Sequence, residues 1–179
     1  MLIQALLFLA DAVVGFFSVL FLLRFFMQAF RVSFAGPVGH FVVNLTNWAV
    51  LPLRRLLPGA LGYDWASLVS AIALQFLLMA LVFGLNSATW LADGQTIALW
   101  LLWGTLRGVL RLSVYTLIGV LILQAVLSWV NPYSPLSAPA DQLTRPFLNP
   151  IRRVLPPLSG IDLSPLVAIL LAQLVLMFL

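Results

Sequence analysis

Long apolar runs alternate with polar, proline-bearing stretches along this chain. Four runs stand out, at residues 2–30, 65–87, 108–130 and 163–179. Each is close to the ~20 residues that cross ~30 Å of hydrocarbon at ~1.5 Å per residue. They predict four spanning helices, of which the fourth is the shortest. A further stretch, TIALWLLWGTLRG at 96–108, is either an extension of the third helix or an interfacial helix before it. Trp90, Trp100 and Trp103 suit an interfacial belt there.

Proline sharpens the division. All eleven prolines fall within 31–64 and 131–165. Proline removes a backbone donor and breaks helices, so these segments predict two elaborate connections. Within the first, PVGHFVVNLTNWAVLP sets His40, Asn44 and Asn47 on one face of an otherwise apolar pattern, which suits a short helix lying in the headgroup region. Its counterpart ADQLTRPFL carries Asp141 and Arg145 at i, i+4.

The two connections end alike, in LPLRRLLPGALGYDW at 51–65 and NPIRRVLPPLSGIDL at 149–163. An offset of 98 pairs Pro52 with Pro150, Arg54 with Arg152, Arg55 with Arg153, Leu57 with Leu155 and Pro58 with Pro156. It continues through Gly62 with Gly160, Asp64 with Asp162, Leu68 with Leu166, Val69 with Val167 and Gln75 with Gln173. Ten of 24 ungapped positions match, where composition alone gives about two. The sequence therefore reads as a duplication, with a first repeat at 1–88, a connecting segment at 89–107 and a second repeat at 108–179. Two crossings per half return the chain to its starting side. The expected fold is an all-α membrane protein of about four transmembrane helices. They form two parallel two-helix repeats about an axis along the membrane normal, each with a proline-rich loop and a short interfacial helix.

Arginine sets the orientation. Arg31, Arg54, Arg55, Arg145, Arg152 and Arg153 lie on the side of the proline-rich loops, and Arg24 can snorkel to it. Arg107 and Arg111 lie on the other side. Seven against two predicts cytoplasmic loops and external termini.

Composition agrees with this picture. The chain is 63% hydrophobic and 8% charged, with a mean hydropathy of +1.13. A soluble domain carries about 25% charged residues. The bilayer is therefore the expected solvent, and nucleic acid is not an expected partner. The start, MLIQALLFLADAVVGFF, lacks the basic region and cleavage pattern of a signal peptide.

The candidate chemistry is sparse. There is no Cys, Lys or Glu and a single His, His40. A thiolate centre, a clustered metal site and a bis-His haem are thereby excluded, no cofactor is expected, and an enzyme is not the expected reading. Asp64 and Asp162, each just before an apolar run, suit helix caps. Arg54, Arg55, Arg152 and Arg153 suit anionic lipid headgroups. If the two pairs converge on the pseudo-axis, they suit a phosphate or a partner's carboxylate instead. Gln75 and Gln173 lie within spans at matched depth, where amides act as interhelical glue. Gly104 and Gly108 fit a small-xxx-small contact. An acid inside a span needs a partner, so Asp11 is expected to pair with Arg111, or with Arg107.

The stretches LLRFFMQAFRVSF, FVVNLTNWAVLPLRRLLPGALGYDWASLV and LSWVNPYSP…LTRPFLNPIRRVLPPLSGIDLSPLV resemble the YggT family of small membrane proteins, which includes the YlmG-type relatives. With the intervening spans, the resemblance covers nearly the whole chain. It implies a multi-pass protein of the bacterial cytoplasmic (inner) membrane. It also implies links to osmotic-stress tolerance, to the neighbourhood of cell-division proteins and, in plastids, to cytochrome b assembly and nucleoid distribution. It carries over no catalytic residue. Two functions stay open: a non-catalytic scaffold or assembly factor, or an ion or small-solute pathway supporting osmotic balance. The expected partners are the bilayer with its anionic headgroups and a membrane-protein partner or a second copy of the chain.

Overall fold

A computed structural model describes residues 1–57, 59, 62–85, 93–131, 133–155 and 162–179. Pro58, Trp90, Pro156 and Gly160 lie outside the described residues. Six α-helices account for the described regular structure: α1 (Leu2–Ala29), α2 (Pro37–Leu56), α3 (Trp65–Leu85), α4 (Gly94–Val130), α5 (Ser137–Val154) and α6 (Ser164–Phe178). α1, α3 and α4 are long and apolar enough to cross a membrane, whereas α6, of 15 residues, is a shorter apolar helix of about 22 Å. α4 runs unbroken for 37 residues, about 55 Å, so the stretch at 96–107 extends the third apolar run as one helix.

Two helices occupy the proline-bearing segments and reach further than the prolines suggest. Pro52 lies inside α2, and Pro146 and Pro150 lie inside α5. All three are on exposed positions. Each removes one bond to the carbonyl four residues earlier, on the outer side of its helix, and the inner stripe continues to pack. In α2 that stripe is Gly39, Val42, Thr46 and Val50, and in α5 it is Ala140, Leu143, Thr144 and Leu148. Both follow the 3.6-residue period of a helix with one buried face.

α1 packs chiefly on α3, and α4 packs on α1, α3, α5 and α6. α2 lies against α1 and α3, as α5 lies against α4 and α6. Phe21, Leu22, Val50, Ala66 and Ala71 form the core under α2, joined by Val109 of α4. Trp48 closes it, edge-on to Phe17 at 5.9 Å. The α3–α4 contact uses Gly104 and Gly108: a Cβ on Gly108 would stand 2.5 Å from Gln75 Oε1, and one on Gly104 would stand 2.9 Å from Met79 Sδ. The small-xxx-small pattern is thus a close approach of α4 to α3.

Candidate functional site: two arginine–aspartate clasps

The duplicated motif folds into the same clasp twice. Arg54 ends α2 and Asp64 precedes α3. Arg54 Nη2 donates to Asp64 Oδ2 at 2.7 Å, and Nε donates to Oδ1 at 3.3 Å. Gly62, at φ +82°, takes the left-handed conformation that turns the chain back between them. Ninety-eight residues on, Arg152 Nε donates to Asp162 Oδ2 at 2.9 Å, with Nη2 2.8 Å from the same oxygen. Each clasp ties the end of an amphipathic helix to the start of the next apolar one.

The second arginine of each pair does something else. Arg55 and Arg153 are exposed and make no ion pair among the described residues. The four arginines therefore split by position within the motif, with Arg54 and Arg152 engaged and Arg55 and Arg153 free.

The two carboxylates differ in their surroundings. Asp64 is 2% exposed. Burial pushes its carboxyl up, but hydrogen bonds from Arg54 and the Ser67 hydroxyl, with the charges of Arg54 and Arg24, outweigh that and hold it below the usual range. Its backbone carbonyl accepts from the Ser67 and Leu68 amides, opening α3. Asp162 is partly exposed. Burial also pushes it up, and hydrogen bonds from Ser164 and Arg152 bring it below its ordinary value. Its Oδ1 accepts from the Ser164 amide at 2.9 Å, in the first turn of α6. Asp141 adds a second acid here: it binds Arg145 at 2.7 Å and stands 3.6 Å from Arg152.

The first clasp has an inner layer that sequence reasoning missed. Arg24, expected to snorkel outward, is 3% exposed and turned inward. Its Nη1 donates to Thr46 Oγ1 at 2.6 Å and to Asn47 Oδ1 at 3.1 Å, and its Nε stands 3.4 Å from Asp64 Oδ2. The reason is geometric. α2 packs back over the end of α1 and brings two oxygens, with Asp64 behind them, to the guanidinium. A signal existed in the register: the offset of 98 also pairs Thr46 with Thr144, both buried and both back-bonded to the carbonyl four residues earlier. Nothing in the spacing signalled Arg24 itself.

The remaining intramembrane residues separate. Gln75 is buried, and its Nε2 donates to Ser18 Oγ at 3.2 Å, joining α3 to α1. Gln173, its match in sequence, is exposed on α6. Asp11, Arg107 and Arg111 are all exposed, and the expected pairing of Asp11 does not form. Ser113, Thr116, Leu117 and Val120 of α4 line a cavity with α1. Arg111 precedes Ser113 by two residues, a rotation of about 200°, and so points away from α1. Arg107, one turn earlier, follows it.

Among the described residues no group of three or more His, Asp or Glu comes together to hold a metal. Among the described residues the geometry offers two internal clasps, an exposed guanidinium beside each, and hollows where α4 meets α5. The class so defined is an all-helical membrane protein built around paired arginine–aspartate clasps.

Residues 3–85 and 103–179 match the family model described as CCB3/YggT, and the chain belongs to that family. It is 35% identical over 172 residues to the Escherichia coli (strain K12) protein named Uncharacterized protein YggT, covering 92% of this chain and 83% of that one. An uncharacterized protein of Pseudomonas aeruginosa is 36% identical over 156 residues, covering 86% of this chain and 77% of the relative. A Vibrio alginolyticus protein is 32% identical over 164 residues, covering 89% and 85%. No solved structure matches.

Proposed function

We propose that the chain is a non-catalytic integral membrane protein of the bacterial cytoplasmic membrane, acting as a scaffold or assembly factor through its arginine-bearing connections. The observation that carries this reading is the division within each Arg-Arg pair. The first arginine is used inside the fold, and the second is left exposed, at equivalent positions in both halves. A guanidinium beside an apolar surface suits a phosphate or carboxylate. The two halves are proposed to insert as parallel repeats, which puts Arg55 and Arg153 on one side of the membrane. The arginine asymmetry favours the cytoplasm for that side. The family resemblance points the role toward osmotic-stress tolerance or toward envelope and division processes.

The test is a photoreactive residue at 55 or 153, in the cell. The expected result is one discrete protein adduct of the same size from both positions. Adducts to lipid alone would remove the scaffold reading. A reporter fused after Leu179 should behave as periplasmic, and cytoplasmic activity there would reverse the orientation.

A solute pathway is the second reading, favoured by a polar hollow of about 290 Å³ between α4 and α5. One turn deeper, the same stripe of α4 becomes apolar at Val120 and Leu117, and a pathway needs polar groups at successive depths. Selective flux across liposomes containing the purified protein would replace the scaffold with this reading.

A further inference from the structure

One stripe of α4 changes character along its length. Leu117 and Val120 line an apolar cavity of about 210 Å³ with Leu23 and Phe30 of α1 and Phe147 of α5. One turn on, Gln124 and Ser128 line the polar hollow of about 290 Å³ with Ser137 and Asp141 of α5. Gln124 is 8% exposed, and its Oε1 accepts no hydrogen bond among the described residues. Ser137 donates its hydroxyl to the Asn131 carbonyl at 3.2 Å, leaving its lone pairs free to accept. Among the described residues the Gln124 oxygen is thus an acceptor in want of an N–H or O–H group, and the Asp141 carboxylate lines the same hollow.

A buried, unpartnered amide destabilises a fold. Its presence at Gln124 points to an occupant that supplies the missing donor.

We propose that the polar hollow holds the headgroup of one ethanolamine phospholipid. The primary ammonium lies among Gln124, Ser128, Ser137 and Asp141. Its N–H groups meet the unpartnered Gln124 oxygen, and its positive charge meets the Asp141 carboxylate that Arg145 and Arg152 otherwise share. Arg145, bonded to Asp141 at 2.7 Å with a side chain 60% exposed, is placed to turn toward the phosphate. The polar hollow sits at the C-terminal end of α4, beside the arginine-bearing α5. The lipid site is separate from Arg55 and Arg153 and stands whether or not those arginines dock a partner.

Choline carries no N–H, and a glycerol headgroup carries no positive charge, which makes the chemistry testable. The delipidated full chain in detergent is titrated with phosphatidylethanolamine, phosphatidylcholine or phosphatidylglycerol and read by native mass spectrometry. The expected result is one tightly held ethanolamine lipid, preferred by about tenfold, the worth of one charge-assisted hydrogen bond. Gln124→Phe with Ser128→Phe fills the hollow with apolar rings. This variant should fold and melt cooperatively and lose the preference. Gln124→Leu carries the same expectation if the double variant does not fold, and Asp141→Asn should weaken ethanolamine lipid without weakening phosphatidylglycerol. Equal binding of choline lipid, stronger binding of glycerol lipid, or a preference that survives Gln124→Leu would overturn the proposal. So would competition by soluble glycerophosphoethanolamine at the same concentration as the lipid, because the ligand would then be a free solute.

Discussion

Removing the carboxylate should cost far more in the first clasp than in the second. Asp64→Asn leaves two guanidiniums facing an amide. Arg54 can swing away, since 41% of its side chain is exposed. Arg24 cannot, with 4% of its side chain exposed and its Nη1 held by Thr46 and Asn47. Breaking one side of a buried pair strands the other charge and costs about 3–5 kcal/mol. Asp162→Asn differs on each count. Its clasp is open to solvent, with Asp162 25% and Arg152 33% exposed, and Arg152 has Asp141 at 3.6 Å as a second acid. Exposed pairs are worth about 0–1 kcal/mol, so the loss should be about 1 kcal/mol.

Reversible unfolding in mixed micelles, with both variants in one detergent, checks the difference. A further variant isolates the cause. Arg24→Ile removes the buried cation and leaves an apolar side chain in its place. Added to Asp64→Asn, it should recover much of the loss, because no buried charge is then stranded. Equal losses for Asp64→Asn and Asp162→Asn, or strict additivity of Arg24→Ile with Asp64→Asn, would refute the account of Arg24 as the stranded charge.

Acid should act through the same two carboxylates. Both are held below their ordinary values when folded. Their stabilisation is therefore present above the unfolded value of about 4 and is lost as pH falls through the lower folded value. Unfolding midpoints should stay level from neutral pH down to about 5 and drop below about 4, with Asp64→Asn flattening the drop more than Asp162→Asn. Gly108→Ala should displace Gln75 from Ser18 and cost about 1–2 kcal/mol, and in a Gln75→Ala background it should be nearly neutral, checked by the same unfolding. Thr46→Val should destabilise by about 1 kcal/mol more than Thr144→Val, since only Thr46 accepts from Arg24, and equal losses would contradict the bond.

Which parts were legible in the sequence follows from which interactions are periodic. The apolar runs gave α1, α3, the core of α4 and α6 nearly to their ends, because length and hydropathy are local properties. α2 and α5 were readable as amphipathic stretches, but their ends were not. Proline was expected to end helices, and here Pro52, Pro146 and Pro150 sit on exposed positions that lose one bond each. The Arg54–Asp64 and Arg152–Asp162 clasps were visible as repeated residues, not as contacts, since spacing within a loop does not say which group faces which. Arg24 and Asp11 were read from linear position alone. Arg24 turned out buried and bonded, and Asp11 exposed and unpaired, because helix phase against a folded-back neighbour decides both.

The departures between the halves then carry more functional information than the matches. The matched residues close the fold: a clasp, and a threonine back-bonded on its own helix. They recur because each half must solve the same problem of joining an amphipathic helix to an apolar one. Where the halves differ, the packing problem is unchanged, so a different residue reflects a different use. The first half buries a cation at Arg24 and seals the clasp around it. The second half has an open, solvated clasp and a hollow lined by Gln124, Ser128 and Asp141. The first half thus supplies the rigid support, and the proposed ligand belongs to the second. Arg24→Ile should loosen the fold without changing lipid preference, and Gln124→Leu should do the reverse.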